Sequence, residues 1–158
     1  MAREILVVWV GRHLRSPWEA LCADYRERIT RHAPVREIQV KVRGGGDDRS
    51  RLRSEGEALL AALPSPSWPV VLDRRGKARD SLALSRWLKG RRTDWPHPLA
   101  FLIGSDLGVS KEVQQRSRES ISLGPLTLPH ELARLTLYEQ IYRGLSIEAG
   151  IKYHRLPL

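Results

Sequence analysis

Residues Ile5 to Val10 form an unbroken run of six apolar side chains, most of them β-branched. A strand without a polar face has to be covered on both sides, and the usual cover is a layer of helices on each face of a parallel sheet. Leu99 to Ile103 repeats the pattern, and Val70 to Leu72 gives a shorter version of it. Ile38, Val40 and Val42 alternate with Glu37, Gln39 and Lys41, which predicts a half-buried strand. Ile121 to Leu123 predicts a fifth. Between these runs lie stretches with helical spacing. The sequence therefore reads as α/β, with a mainly parallel sheet in one domain spanning residues 1–158.

Start and stop signals place the helices. Ser16, Pro17 and Glu19 make a capping box with proline at the first helical position, opening a helix to about His32. Leu52, Leu59, Leu60 and Leu63 share a helical face, with Gly56 as a weak point inside it. The turn Gly11 to Arg15 and the glycine-rich segment Arg43 to Asp47 read as loops, as does the charged stretch Asp73 to Asp80. Asp80 or Ser81 caps a helix to about Lys89, and Ser110 caps a short one to about Arg118. The last helix runs from Pro129 or His130 to about Glu148 and ends at Gly150.

Charge narrows the partners. Lysine and arginine number 27 against 18 acids, a formal charge of +9 on 158 residues. Such an excess attracts polyanions through counterion release, and the bias to arginine favours planar recognition of phosphates and base edges. A surface kept soluble by charge is the alternative. The apolar runs are far too short to cross a bilayer or to serve as a secretory segment, so the expected location is the cytoplasm.

Most familiar chemistries find no support. No GxxxxGK[ST], GxGxxG or GxSxG spacing occurs. The histidines at 13, 32, 97, 130 and 154 are scattered, without metal-ligand spacing. The single cysteine, Cys22, excludes an internal disulfide and reads as a small core residue rather than a nucleophile.

Open α/β sheets bind ligands at the C-terminal ends of their strands. Three segments fall there: Val71-Leu72-Asp73, Ile103 to Gly108, and Leu123 to His130. Glycines 104 and 108 let backbone approach a ligand, and the leucines make an apolar slot; ordinary strand-to-helix turns are the plain alternative. His130 opens the last helix, where the dipole disfavours positive charge and an imidazole can accept a proton, or simply sit at the surface. The tail from Ile151 mixes aromatic and basic groups that suit stacking on bases and gripping phosphates, or an unstructured end.

Taken together, four motifs carry a resemblance: Leu72-Asp73 with Gly76-Lys77, Leu102-Ile103-Gly104 with Gly108 and Ser110, LTLPHELARLTLYEQIYR at Leu126 to Arg143, and Tyr153-His154-Arg155. In order, and over this length, they resemble the RlmH family of SPOUT-class methyltransferases, which act on N3 of a pseudouridine in the large ribosomal subunit. The resemblance implies a sheet closed by a C-terminal trefoil knot, although general rules of chain connection would favour an unknotted path. It also implies a homodimer using S-adenosylmethionine and no metal. By the same likeness the donor would be held by Leu72, Gly104, Leu123, Gly124, Pro125, Leu126, Thr127 and Leu128, with His130, Tyr153 and Arg155 as the catalytic candidates. The substrate it implies is a pseudouridine in helix 69 of 23S rRNA within the assembled ribosome, with no DNA or membrane partner. A SPOUT enzyme for another RNA such as tRNA, or a non-catalytic RNA-binding relic, are the alternatives. The chain departs from the family loop, which reads close to IGGPEG. Here Ile103-Gly104-Ser105-Asp106-Leu107-Gly108 moves the acid back one position, leaving Asp106 as its substitute. Leu156-Pro157-Leu158 extends the tail beyond Arg155.

Overall fold

The computed structural model describes residues 3–11, 17–42 and 46–155. Ten elements alternate along the chain: β1 (Ile5–Val10), α1 (Pro17–Thr30), β2 (Val35–Val40), α2 (Asp48–Ala61), β3 (Trp68–Ala78), α3 (Ser81–Asp94), β4 (Leu99–Ile103), α4 (Lys111–Arg116), β5 (Glu119–Ser122) and α5 (His130–Glu148). The strands form one sheet in the order β2-β1-β4-β3-β5, and every pairing is parallel. The expected α/β class and parallel sheet are thus observed.

Two apolar layers explain why β1 and β4 lack a polar face. Ile5, Val7, Trp9, Phe101 and Ile103 point to the side covered by α1, α3 and α5, where they meet Cys22, Leu88, Leu137 and Tyr138. Leu6, Val8, Ala100 and Leu102 point to the other side and meet Leu59 of α2 and Val113 of α4. Gly56, read from sequence as a weak point, is where α2 passes the start of α4: a Cβ there would overlap the Ser110 hydroxyl. Ser110 in turn caps α4 by accepting from Val113 N at 3.2 Å.

Several boundaries differ from those expected. β2 starts at Val35 and stops before Val42, because its register follows β1 from Ile5↔Val35 to Val10↔Val40. α1 ends at Thr30, two residues early, and α3 passes Gly90 to reach Asp94, two residues short of Pro96. Asp80, not Ser81, caps α3, accepting from Ala83 N at 2.7 Å. β5 lies at Glu119–Ser122, and α5 begins at His130. The largest correction concerns Asp73 to Asp80, read as a loop. The chain leaves the ladder only briefly: Leu72 and Lys77 both register with Ile121, so Asp73 to Gly76 make an excursion and the strand resumes to Ala78. Charged side chains hid this strand because it borders the sheet's edge strand, where they reach solvent. The Ser16 capping box, the turn after Gly11 and the start of the glycine loop at 43–45 lie outside the described residues.

Cys22 is fully buried, and burial pushes its thiol up to about 11. Thiolate is the reactive form, so the folded protein is expected to resist a thiol-specific reagent at neutral pH and to react only as it unfolds. Labelling of the native chain as fast as that of free cysteine would contradict the burial of α1 against the sheet.

Candidate functional site

Three of the sequence-predicted segments emerge side by side. β4, β3 and β5 are neighbours, and the registers Val71↔Leu102 and Leu72↔Ile121 bring Leu72, Ile103 and Ile121 to one level at the C-terminal rim. Gly104 follows immediately. A Cβ at Gly104 would overlap the carbonyl oxygen of Gly108 and sit 2.7 Å from that carbonyl carbon. The close approach that requires glycine here is thus the loop's own backbone, closed by Gly108 N donating to Ser105 O at 2.9 Å.

From β5 the chain has to travel back across the rim. Residues Leu123 to Pro129 span three strand spacings, about 14 Å, to reach α5 above β1. Ser122 Oγ steadies the start of this crossing, accepting from Gly124 N and donating to the Arg74 carbonyl, each at 3.0 Å. Leu123, Gly124 and Leu128 are half-buried, whereas Pro125, Leu126 and Thr127 are exposed. Leu126 is 74% exposed, a large apolar side chain left open on the rim.

His130 lands on β1. Its ring stacks on Trp9 with centroids 6.2 Å apart, and the Arg134 guanidinium, one turn along α5, lies 3.9 Å from the Trp9 ring centre. His130 also lines a cavity of about 240 Å³ with Gly11, Arg51, Glu55, Ser105 and Asp106. Glu55, 5% exposed on α2, accepts from Ser105 Oγ at 2.6 Å, and Arg51 bridges Glu55 (3.4 Å) and Asp106 (2.7 Å). That hydrogen bond from Arg51 holds the Asp106 carboxyl below its usual value. Asp106 is therefore pinned by an arginine in the cavity that His130 lines.

Behind the rim lies a buried charge network. Arg134, 0% exposed, donates to Glu37 at 2.8 Å and to Glu19 at 3.0 Å, while Arg26 binds the same two carboxylates. Tyr138 donates to Glu37 at 2.8 Å. Burial works against the Arg134 charge, but the hydrogen bond and charge of Glu37 outweigh it and raise its pKa.

The tail lies elsewhere. Tyr153 donates to Glu139 at 3.0 Å and shares a hydrogen bond with Tyr25 at 3.2 Å. Glu139 is nine residues along α5 from His130, about 13 Å of helix. His154 meets Arg143 at 3.1 Å, and Arg155 is exposed. Within one chain, then, His130 sits with the β4 loop and the rim crossing, while Tyr153 and Arg155 lie well down the helix. Sequence reasoning missed Trp9, Arg51, Glu55 and Arg134. Arg51 and Glu55 had a signal, their four-residue spacing on one helix, but nothing local ties them to Ser105. Among the described residues no group of three or more His, Cys, Asp or Glu side chains forms a metal site, and no helix is long and apolar enough to cross a membrane.

Comparison with known proteins decides the family, since residues 3–154 match the one described as "Predicted SPOUT methyltransferase". The chain belongs to the SPOUT methyltransferase family. Relatives within reach of this family are similar over nearly their whole length. A Solidesulfovibrio magneticus protein named "Ribosomal RNA large subunit methyltransferase H" is 40% identical over 153 residues, 96% of this chain and 99% of the relative. A Gloeobacter violaceus protein of the same name is 38% identical over 150 residues, 95% of this chain and 97% of the relative. Among solved structures, a probable methylase family protein from Haemophilus influenzae Rd KW20 aligns with a TM-score of 0.52 at 11% identity, covering 98% of this chain and 71% of its own; it speaks to the fold alone. Of the candidate residues, Leu72, Gly104, Leu123 to Leu128 and His130 lie at the rim, the end of the sheet where open α/β folds take their ligands, and Tyr153 and Arg155 do not.

Proposed function

We propose that this protein is a single-domain, knotted SPOUT enzyme of the cytoplasm that methylates N3 of a pseudouridine in helix 69 of 23S rRNA on the assembled ribosome. The observation that carries the reading is the convergence of Leu72, Gly104 and the crossing Leu123 to Leu128 on one rim beside His130, in a chain matched by a methyltransferase family over residues 3–154. Relatives named for the ribosomal large subunit support the substrate, as does a charge of +9.

The rim suits S-adenosylmethionine. Leu126, 74% exposed, and the half-buried Leu72, Leu123 and Leu128 offer apolar contact to an adenosine and a thioether, and the backbone of Gly124 to Leu128 offers amides and carbonyls. S-adenosylmethionine supplies a methyl group on a sulfonium, which leaves as a neutral thioether, so no metal is required. The protein's task is alignment and proton removal. His130 accepts the N3 proton as the new N–C bond forms. Arg155 or a rim amide stabilises the charge that develops on the flanking carbonyl oxygens, and Tyr153 positions the base. Tyr153 meets α5 at Glu139, about 13 Å of helix from His130 in its own chain, which supports a homodimer in which the tail of one copy, Arg155 included, serves the rim of the other.

Methyl transfer from labelled S-adenosylmethionine to ribosomes lacking the modification tests the reading, with free 23S rRNA and bulk tRNA alongside and the product mapped by mass. Label in helix 69 on whole ribosomes is the expected result. Label in tRNA replaces the substrate, and no label with no donor binding defeats the reading. In the same assay His130→Ala is expected to lower kcat about hundredfold with little change in KM for the donor. Undiminished turnover removes His130 from the mechanism.

A further inference from the structure

Three of the five tryptophans gather away from the rim, at the N-terminal end of β3. Glu119 of β5 organises part of this cluster, accepting from Trp68 Nε1 and Trp87 Nε1, each at 2.9 Å, and from Arg91 Nε at 2.7 Å. Those groups satisfy one another and read as a structural staple. Beside it lie Arg118, His97 and Trp95, whose Nε1 donates to the Pro98 carbonyl at 3.2 Å and whose ring stands edge-on to Trp68 at 5.4 Å. The Arg118 guanidinium is exposed, lies 4.7 Å from the Trp68 ring centre and 5.6 Å from that of Trp95, and forms no ion pair among the described residues. Trp95 is half-buried, and exposed His97 stands edge-on to it at 5.3 Å.

A groove joins this cluster to the rim. A cavity of about 450 Å³ is lined by Arg75, Gln114, Ser117 and Arg118, and Trp95 lies outside it, beside the Arg118 guanidinium. Arg75, its side chain 73% exposed, belongs to the excursion beside Leu72. Trp68 lies four residues back along β3, about 13 Å from Leu72. The acids in the groove are already engaged: Asp73 accepts from Arg75 and Gln114, and Glu119 from the two indoles and Arg91.

We propose that this groove is a second contact for the RNA whose nucleotide is methylated at the rim, taking backbone phosphates on Arg75 and Arg118 and stacking an unpaired base at Trp95. The assignment rests on the RNA-methyltransferase reading for the identity of its ligand, and on charge complementarity and an arginine–tryptophan platform for its place.

Two measurements test it. The first is anisotropy of a fluorescein-labelled single-stranded ribo-oligonucleotide at several salt concentrations. R75Q/R118Q is expected to weaken binding roughly tenfold and to reduce the slope of log K against log[salt] by about 1.4. W95A is expected to weaken binding roughly tenfold, and W95F, which keeps a stacking face and checks for misfolding, to bind nearly as the wild type does. The second is steady-state methylation of ribosomes, where the same variants raise KM for the ribosome and leave KM for S-adenosylmethionine unchanged. Wild-type affinity and salt slope in R75Q/R118Q and W95A overturn the groove, whatever the methylation shows. If the wild type methylates no RNA but the oligonucleotide losses appear, the groove stands and the reading of the rim falls.

Discussion

Gly104→Ala is expected to lower methyl transfer by about a hundredfold or more and to destabilise the fold by about 1–3 kcal/mol. The added methyl would collide with the Gly108 carbonyl, which is backbone and cannot swing aside, and would come within 2.9 Å of Val109 Cγ1. Relief requires the loop to open, which moves Ser105 off Glu55 and Asp106 off Arg51. Both contacts face the cavity that His130 lines, so the damage reaches the site even if the chain stays folded. Calorimetric titration with S-adenosylmethionine and a urea melt separate the two effects. Donor affinity and turnover both at wild-type levels would mean that the loop is not part of the site.

Arg134→Met is expected to cost about 3 kcal/mol, the low end for breaking a buried ion pair, because Arg26 remains to serve Glu19 and Glu37. The side chain has no exposure and its contact with Trp9 disappears with the charge. A pH signature accompanies the loss. Burial raises the Glu19 pKa, but the hydrogen bonds of Arg26 and Arg134 outweigh it and hold the carboxyl below its usual value. A carboxylate so held stabilises the fold above its unfolded pKa, and that contribution fades as the pH falls through the lower folded value. Without Arg134 the depression shrinks, so less of the stability depends on an ionised Glu19 and the variant, already weaker at pH 7, loses less than the wild type as the pH falls toward the folded value. Urea melts at pH 7 and at successively lower pH check both statements. Equal stability of R134M and wild type would show that the network is energetically idle.

The layered fold was legible because parallel strands buried on both faces, β1 and β4 above all, are written as unbroken apolar runs. β3 was legible only to Leu72. Its second half carries Arg74, Arg75 and Lys77, and no local pattern shows that Lys77 rejoins the ladder opposite the residue Leu72 already faces. Within the site, Gly104 and His130 stood out from turn chemistry and helix position. Glu55 did not, since it meets Ser105 only after α2 packs across the sheet, fifty residues away in the chain. The placement of Tyr153 against Tyr25 is more distant still, 128 residues apart, and joins the two ends of the chain in a way that no periodicity encodes.

The rim crossing has a consequence for the order in which the molecule is made. Leu123 to Pro129 and α5 come after every strand, and α5 docks on α1 and α3, which are synthesised long before it. The cavity takes Arg51 and Glu55 from the first half of the chain, Ser105 and Asp106 from the second, and His130 from the last helix. A chain still under synthesis can lay down its sheet while the site stays open on one side. The lining of the cavity is therefore completed by the docking of α5, the last of its elements along the chain to take its place.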